Sequence, residues 1–89
     1  MEFEWNRAKA ARNLAKHGID FADSVCAFDD PLAVTIPDPH PDEDRHVTIG
    51  MDCLARLVVV VWTQREQRIR IISARKATTQ EESQYGESE

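Results

Sequence analysis

The clearest alternation along the chain is in RIRIISAR (68–75), where isoleucine and arginine trade places at a period of two. That pattern predicts a strand with Arg68, Arg70, Ile72 and Ala74 on one face and Ile69, Ile71, Ser73 and Arg75 on the other. Just upstream, ARLVVVVWT (55–63) is apolar at consecutive positions, so it predicts a central strand covered on both faces. QREQ (64–67) supplies the turn between the two. RHVTIGM (45–51) and LAVTI (32–36) predict two more strands, the latter with Leu32, Val34 and Ile36 on one face. Towards the N-terminus the period changes. After a short extended FEW (3–5), Asn6 is a fitting N-cap, RAKAARNLAKH (7–17) predicts a helix, and Gly18 ends it. At 100° per residue, Ala8, Ala11, Leu14 and Ala15 share one face and Lys9, Arg12 and Lys16 cluster on another. Asp20 caps a second predicted helix over 21–30, with an apolar stripe of Phe21, Ala22, Val25, Cys26 and Phe28, and Pro31 stops it. Thr79 with Glu82 fits a capping box that opens a short terminal helix, cut off at Gly86. The expected fold is α+β: two N-terminal helices, a four-stranded antiparallel sheet joined by short connections, and a short C-terminal helix.

Length changes this picture little. Eighty-nine residues make one small domain, 1–89, and the longest apolar run, Leu57 to Trp62, is far too short for a membrane span. No secretory leader is visible behind Met1, so a cytoplasmic location is expected, and with it two buried thiols at Cys26 and Cys53 in preference to a disulfide. Charge changes it more. The net charge is −5, but Arg7, Lys9, Arg12 and Lys16 stand without an acid in 7–17, and Arg65, Arg68, Arg70, Arg75 and Lys76 face only Glu66 in 65–76. Between them, nine acids in 20–52 oppose Arg45 alone. Two basic segments separated by an acidic one form a positive patch if the fold joins them.

Two guanidinium groups at a two-residue spacing on one sheet face are suited to holding phosphate oxygens. The alternative, a solvated face whose aliphatic stems lie on neighbouring residues, stays open for each segment alone. Five bases around one hairpin repel one another unless an anion or an acidic partner neutralises them. Trp62, beside that hairpin, is either a core residue or a platform on which a base stacks. His17 follows Lys16 at the end of the basic helix stripe. The loop PDPHPDEDRH (37–46) mixes histidine and acids without metal-ligand spacing, and it reads as a solvated connection.

Taken together, FEWNRAKAARNLAKHGIDFADSVCAFDDPLAV, RHVTIGM and RLVVVVWTQREQRIRIISARKAT resemble the BrnT toxins of bacterial type II toxin–antitoxin modules, over nearly the whole chain from Phe3 to Tyr85. The resemblance rests on KHG with a downstream Phe, on FDDP and on RIISAR. It implies a RelE-like ribonuclease fold and an endoribonuclease that needs no metal or other cofactor. It further implies inhibition of translation and a BrnA-type ribbon-helix-helix antitoxin, which alone carries the complex to operator DNA. By position, the family's motif falls on Lys16, His17, Arg65 and Arg75 as catalytic residues. Lys9, Arg12, Trp62, Arg68, Arg70 and Lys76 are then the expected RNA contacts. One departure stands out. Where the family is typically basic after this motif, TQEESQYGESE (79–89) has four acids and no base. A second expectation therefore sits beside the first: a weak or inactive toxin-derived module that partners an antitoxin in regulating its operon.

Overall fold

In the computed structural model, which describes residues 1–86, the chain runs β1 (Glu2–Glu4), α1 (Arg7–His17), α2 (Phe21–Ser24), a 3-10 turn (Val25–Asp29), β2 (Val34–Asp38), β3 (Arg45–Met51), β4 (Leu57–Arg65), β5 (Arg68–Lys76) and α3 (Thr79–Glu82). The sheet corrects the expected one. It has five strands in the order β1-β5-β4-β3-β2, and β1 lies parallel to β5 with Glu2, Phe3 and Glu4 beside Arg68, Ile69 and Arg70. The extended FEW thus enters the sheet, at the far end of the chain from its partner, which makes the sheet mixed. The three other pairings are antiparallel, as short connections require.

The caps of α1 fall where the sequence places them. Asn6 accepts from the Lys9 N–H, and Gly18 closes the helix at φ 73°, a left-handed conformation that costs a side-chain-bearing residue more. Its buried face differs from the apolar one. Ala8, Ala11, Leu14 and Ala15 are exposed, and Asn13 is the buried residue, with Ala10 and His17 half-buried at helical spacing from it. Asn13 behaves as a piece of neighbouring strand: its Nδ2 donates to the Ala74 carbonyl (2.7 Å) and its Oδ1 accepts from the Ala74 N–H (3.2 Å). A third bond, to the Ile19 carbonyl, ties down the turn after the helix. The predicted second helix also shortens. Asp20 caps it, but four residues on the chain tightens into a 3-10 turn. That turn approaches the sheet at Gly50, where an added Cβ would lie 3.0 Å from the Ala27 carbonyl oxygen.

The core on this side is Ile19, Phe21 and Ala27 over Val58, Val60, Ile71 and Ala74, rimmed by Phe3, Trp5, Phe28 and Trp62. Val59 is buried too, on the opposite face, as a doubly covered strand requires. Cys26 and Cys53 form a disulfide between the 3-10 turn and the β3–β4 turn, which corrects the expectation of two thiols. The same corner is braced by the Cys53 N–H on the Asp23 carbonyl and by Arg56, which pairs with Asp52 (2.7 Å) and Asp23 (3.6 Å). After β5 the chain crosses the sheet. α3 is capped by Thr78, one residue before the expected cap, with Glu81 completing the capping box. At the far edge Tyr85 donates to Asp30 (2.6 Å) and the Gly86 N–H to the Leu32 carbonyl (3.2 Å). Burial pushes the Asp30 carboxyl up, but bonds from Tyr85 and from the Met51 and Leu32 N–H groups outweigh it and hold the carboxyl below its usual range. Glu87 and Glu89, counted among the acids of the terminal segment, lie outside the described residues.

Candidate nucleic-acid interface

The placement of the arginines turns on one extra residue. Between Val61 and Trp62 the β4–β5 register shifts: Trp62 pairs with Ile71, Val61 with Ser73, and Ile72 has no partner. Such a bulge exchanges the faces of all residues beyond it. Ile69 and Ile71 are buried on the helix side before the bulge, and Ala74 is buried there after it. Arg75 is thereby moved to the outer face, with Arg68 and Arg70, where simple alternation puts it opposite them. Reading across the pairings, the outer face has four successive rows: Val34–Ile49–Val59–Arg75, then Ile36–Val47–Val61–Ser73, then Asp38–Arg45–Thr63–Arg70–Glu4, and last Arg65–Arg68–Glu2.

Two open clefts lie where α1 meets this face. The first, about 350 Å³, is lined by Lys9, Arg45, Arg65 and Arg70 together with Glu43, Asp44, Thr63, Gln64 and Ile72. The second, about 400 Å³, is lined by Lys9, Arg12, Asn13, Lys16, His17 and Ile72, with no acid. Lys9 and Ile72 belong to both, so the basic stripe of α1 and the base of the final hairpin form one continuous surface. The bulged Ile72 is its floor, and Asn13 fixes the helix against the strand beside it. Lys9, Arg12, Lys16, His17, Arg65 and Arg70 are brought together this way.

Other expected residues are placed differently. Trp62 lies on the helix side, against Phe28 (centroids 5.5 Å apart) and stacked with His46 (4.5 Å), and its Nε1 donates to Thr48. It belongs to the rim of the core, away from the arginine face. Lys76 is exposed at the end of β5. The remaining arginines already hold anions of the protein itself. Arg75 makes a two-pronged bond to Glu81 (2.7 and 2.8 Å). That bond, helped by the Thr78 N–H and opposed by burial, takes the Glu81 carboxyl from an ordinary 4.5 to about 2, and Glu81 in turn raises Arg75. Arg70 pairs with Glu4 at 2.8 Å, and Arg68 reaches Glu2 at 3.5 Å and Glu4 at 3.8 Å. The Arg70 hydrogen bond, with the charges of Arg65 and Arg68 behind it, holds Glu4 below its usual range. Arg65 has no ion-pair partner among the described residues, nor do Lys9, Arg12 and Lys16.

Sequence reasoning missed Arg45, whose bond to Glu43 (2.6 Å) sits at the mouth of the first cleft and lowers Glu43. It also missed the carboxylates. Glu2 and Glu4 alternate in step with Arg68 and Arg70, a signal that was there to be matched. Among the described residues no three His, Cys, Asp or Glu side chains gather as a metal-binding group. Among the described residues no helix is long and apolar enough to cross a membrane.

A small α+β protein with a helix fixed to one sheet strand and a cationic outer surface around its last hairpin is the class that this geometry defines. Within that class the chain belongs to the BrnT family, the ribonuclease toxins of type II toxin–antitoxin systems, whose family model matches residues 5–81. Among solved structures it is similar to the crystal structure of the Brucella abortus ribonuclease toxin BrnT, at 27% identity over 89% of this chain and 99% of that one, with a TM-score of 0.68. No curated protein matches it.

Proposed function

We propose that this chain is the endoribonuclease of a toxin–antitoxin pair, cutting RNA without a metal and so blocking translation in the cytoplasm until a BrnA-type antitoxin neutralises it. The observation that carries the reading is the single surface on which Lys9 joins Lys16 and His17 of α1 to Arg65 and Arg70 of the hairpin. Cleavage at a ribose 2′-hydroxyl needs a base for that proton, cations for the pentacoordinate phosphate and an acid for the leaving 5′-oxygen. In the proposed division of labour, Arg65 holds the phosphate with Arg70 beside it, and His17 or Lys16 transfers the proton. Lys9 and Arg12 guide the flanking backbone, and Arg75 joins once Glu81 gives it up.

Incubating the protein with RNA in EDTA tests this. Wild type should cleave, Arg65→Ala should lose about a hundredfold in rate, and His17→Ala with Lys16→Ala should lose at least as much. No cleavage, or cleavage indifferent to these substitutions, removes the catalytic reading.

A second reading has its own observation. Arg68, Arg70 and Arg75 are all neutralised within the chain, by Glu2, Glu4 and Glu81. A module that binds only its antitoxin and reaches operator DNA through it would need no vacant phosphate clamp. Such a module shows antitoxin binding with RNA left intact.

A further inference from the structure

The outer face is half covered. Its first row, Val34–Ile49–Val59–Arg75, is buried at Ile49 (2% exposed) and Val59 (1%), outside the cluster that packs under the helices. The chain after β5 runs along this side, from the Glu81 carboxylate on Arg75 at one end to Tyr85 on Asp30 at the other. An acidic, partly apolar segment is thus how this protein covers an aliphatic row that ends in an arginine.

The next row, Ile36–Val47–Val61–Ser73, is aliphatic at its first three positions, ends in a serine and is less covered. Ile36 is 44% exposed, and Val47 and Val61 are only half-buried. Successive rows on one face are about 7 Å apart, so this strip is roughly one side chain wide. The C-terminal segment lies on one flank and the Arg45–Arg70 row on the other. At its β5 end lies the bulged Ile72, where the clefts of Lys9, Arg65 and Arg70 open. The floor is aliphatic and β-branched, with no aromatic ring for a base to stack on, which favours a polypeptide over RNA. At the open end Lys9 and Arg65 outnumber Asp44 among the charges without an ion pair in the described residues, so the balance is positive and the complementary segment is acidic there.

We propose that this strip docks an acidic amphipathic segment of the antitoxin beside the chain's own C-terminal segment. Its apolar side chains lie on Ile36, Val47 and Val61, and its carboxylates enter the cleft of Lys9 and Arg65. The inference rests on the function proposed above, because it gives the antitoxin the same cations that RNA phosphates would use. Neutralisation is then direct occupation of the site.

The test uses the full chain and the purified antitoxin encoded with it. Ile36→Asp should weaken their affinity at least about tenfold, and Ile36→Leu should restore it. Leu54→Asp, at a more exposed apolar residue in the β3–β4 turn, should leave it unchanged. If aspartate unfolds the edge strand, Ile36→Thr keeps the β-branch and should still weaken binding. RNA cleavage without antitoxin should be the same in wild type and Ile36→Asp. Unchanged affinity in the Ile36 variants, an equal loss in Leu54→Asp, no antitoxin binding at all, or a loss of RNA binding in Ile36→Asp would each overturn the docking site. Antitoxin binding that depends on Ile36 in a protein that cuts no RNA would uphold the site and remove the nuclease reading alone.

Discussion

Glu81 is the residue that decides whether Arg75 can hold an outside anion. It occupies both prongs of Arg75, the geometry a phosphate would use, while serving as the third-position acid of the α3 capping box. Glu81→Gln should release Arg75. Measured by fluorescence anisotropy on a short RNA, affinity at low salt should rise about five- to tenfold, and the dependence of log affinity on log salt should steepen by roughly one contact. Unaltered affinity would show that Arg75 lies outside the path of RNA. The same pair gives a pH dependence with a definite sign. Because the Glu81 carboxyl is lowered to about 2, its stabilisation is complete above the ordinary 4.5 and fades as pH falls from there towards 2. Arg75 is 40% exposed, so solvent screening leaves on the order of 1 kcal/mol. Wild type should lose that much more stability than Glu81→Gln across the acid range, read from urea midpoints at successive pH values.

At the scale of elements, what the sequence reveals and what it hides divide by locality. The bounds of α1 are legible because Asn6 and Gly18 act within a few residues of themselves. β3 and the burial of the valine run are legible because a strand's period and its double cover are written in consecutive positions. The buried face of α1 is not legible, since an asparagine occupies its centre and that residue's bonds reach a strand 61 positions away. Nor is the face of Arg75, because the consecutive Ile71 and Ile72 break the alternation without telling a bulge from a strand covered on both faces. The disulfide is hidden for the same reason: it joins a 3-10 turn to a strand connection, both of which exist only in the folded chain. Its loop spans 27 positions, so reduction should cost about 3.5 kcal/mol. Chemical denaturation with and without dithiothreitol measures that loss. Cys26→Ser with Cys53→Ser should match the reduced wild type.

On the scale of the whole molecule, the segregated charge of the sequence becomes a surface that is half joined and half neutralised. The basic stripe of α1 and Arg65 meet across Ile72, which was the part of the candidate site visible in the charge pattern. The opposing carboxylates of Glu2, Glu4 and Glu81 come from both ends of the chain, and only the placement of β1 and α3 beside β5 brings them in. That placement has a further effect, through Asn13. β1 pairs with β5 only over Arg68–Arg70, and past it the strand's outward backbone groups at Ala74 are satisfied by one amide side chain. An open strand margin of this kind is a template for another copy of the chain. Asn13→Ala should therefore self-associate more steeply with rising concentration than wild type, as light scattering would record. The Asn13 amide thus takes the hydrogen-bonding place that a neighbouring strand would fill.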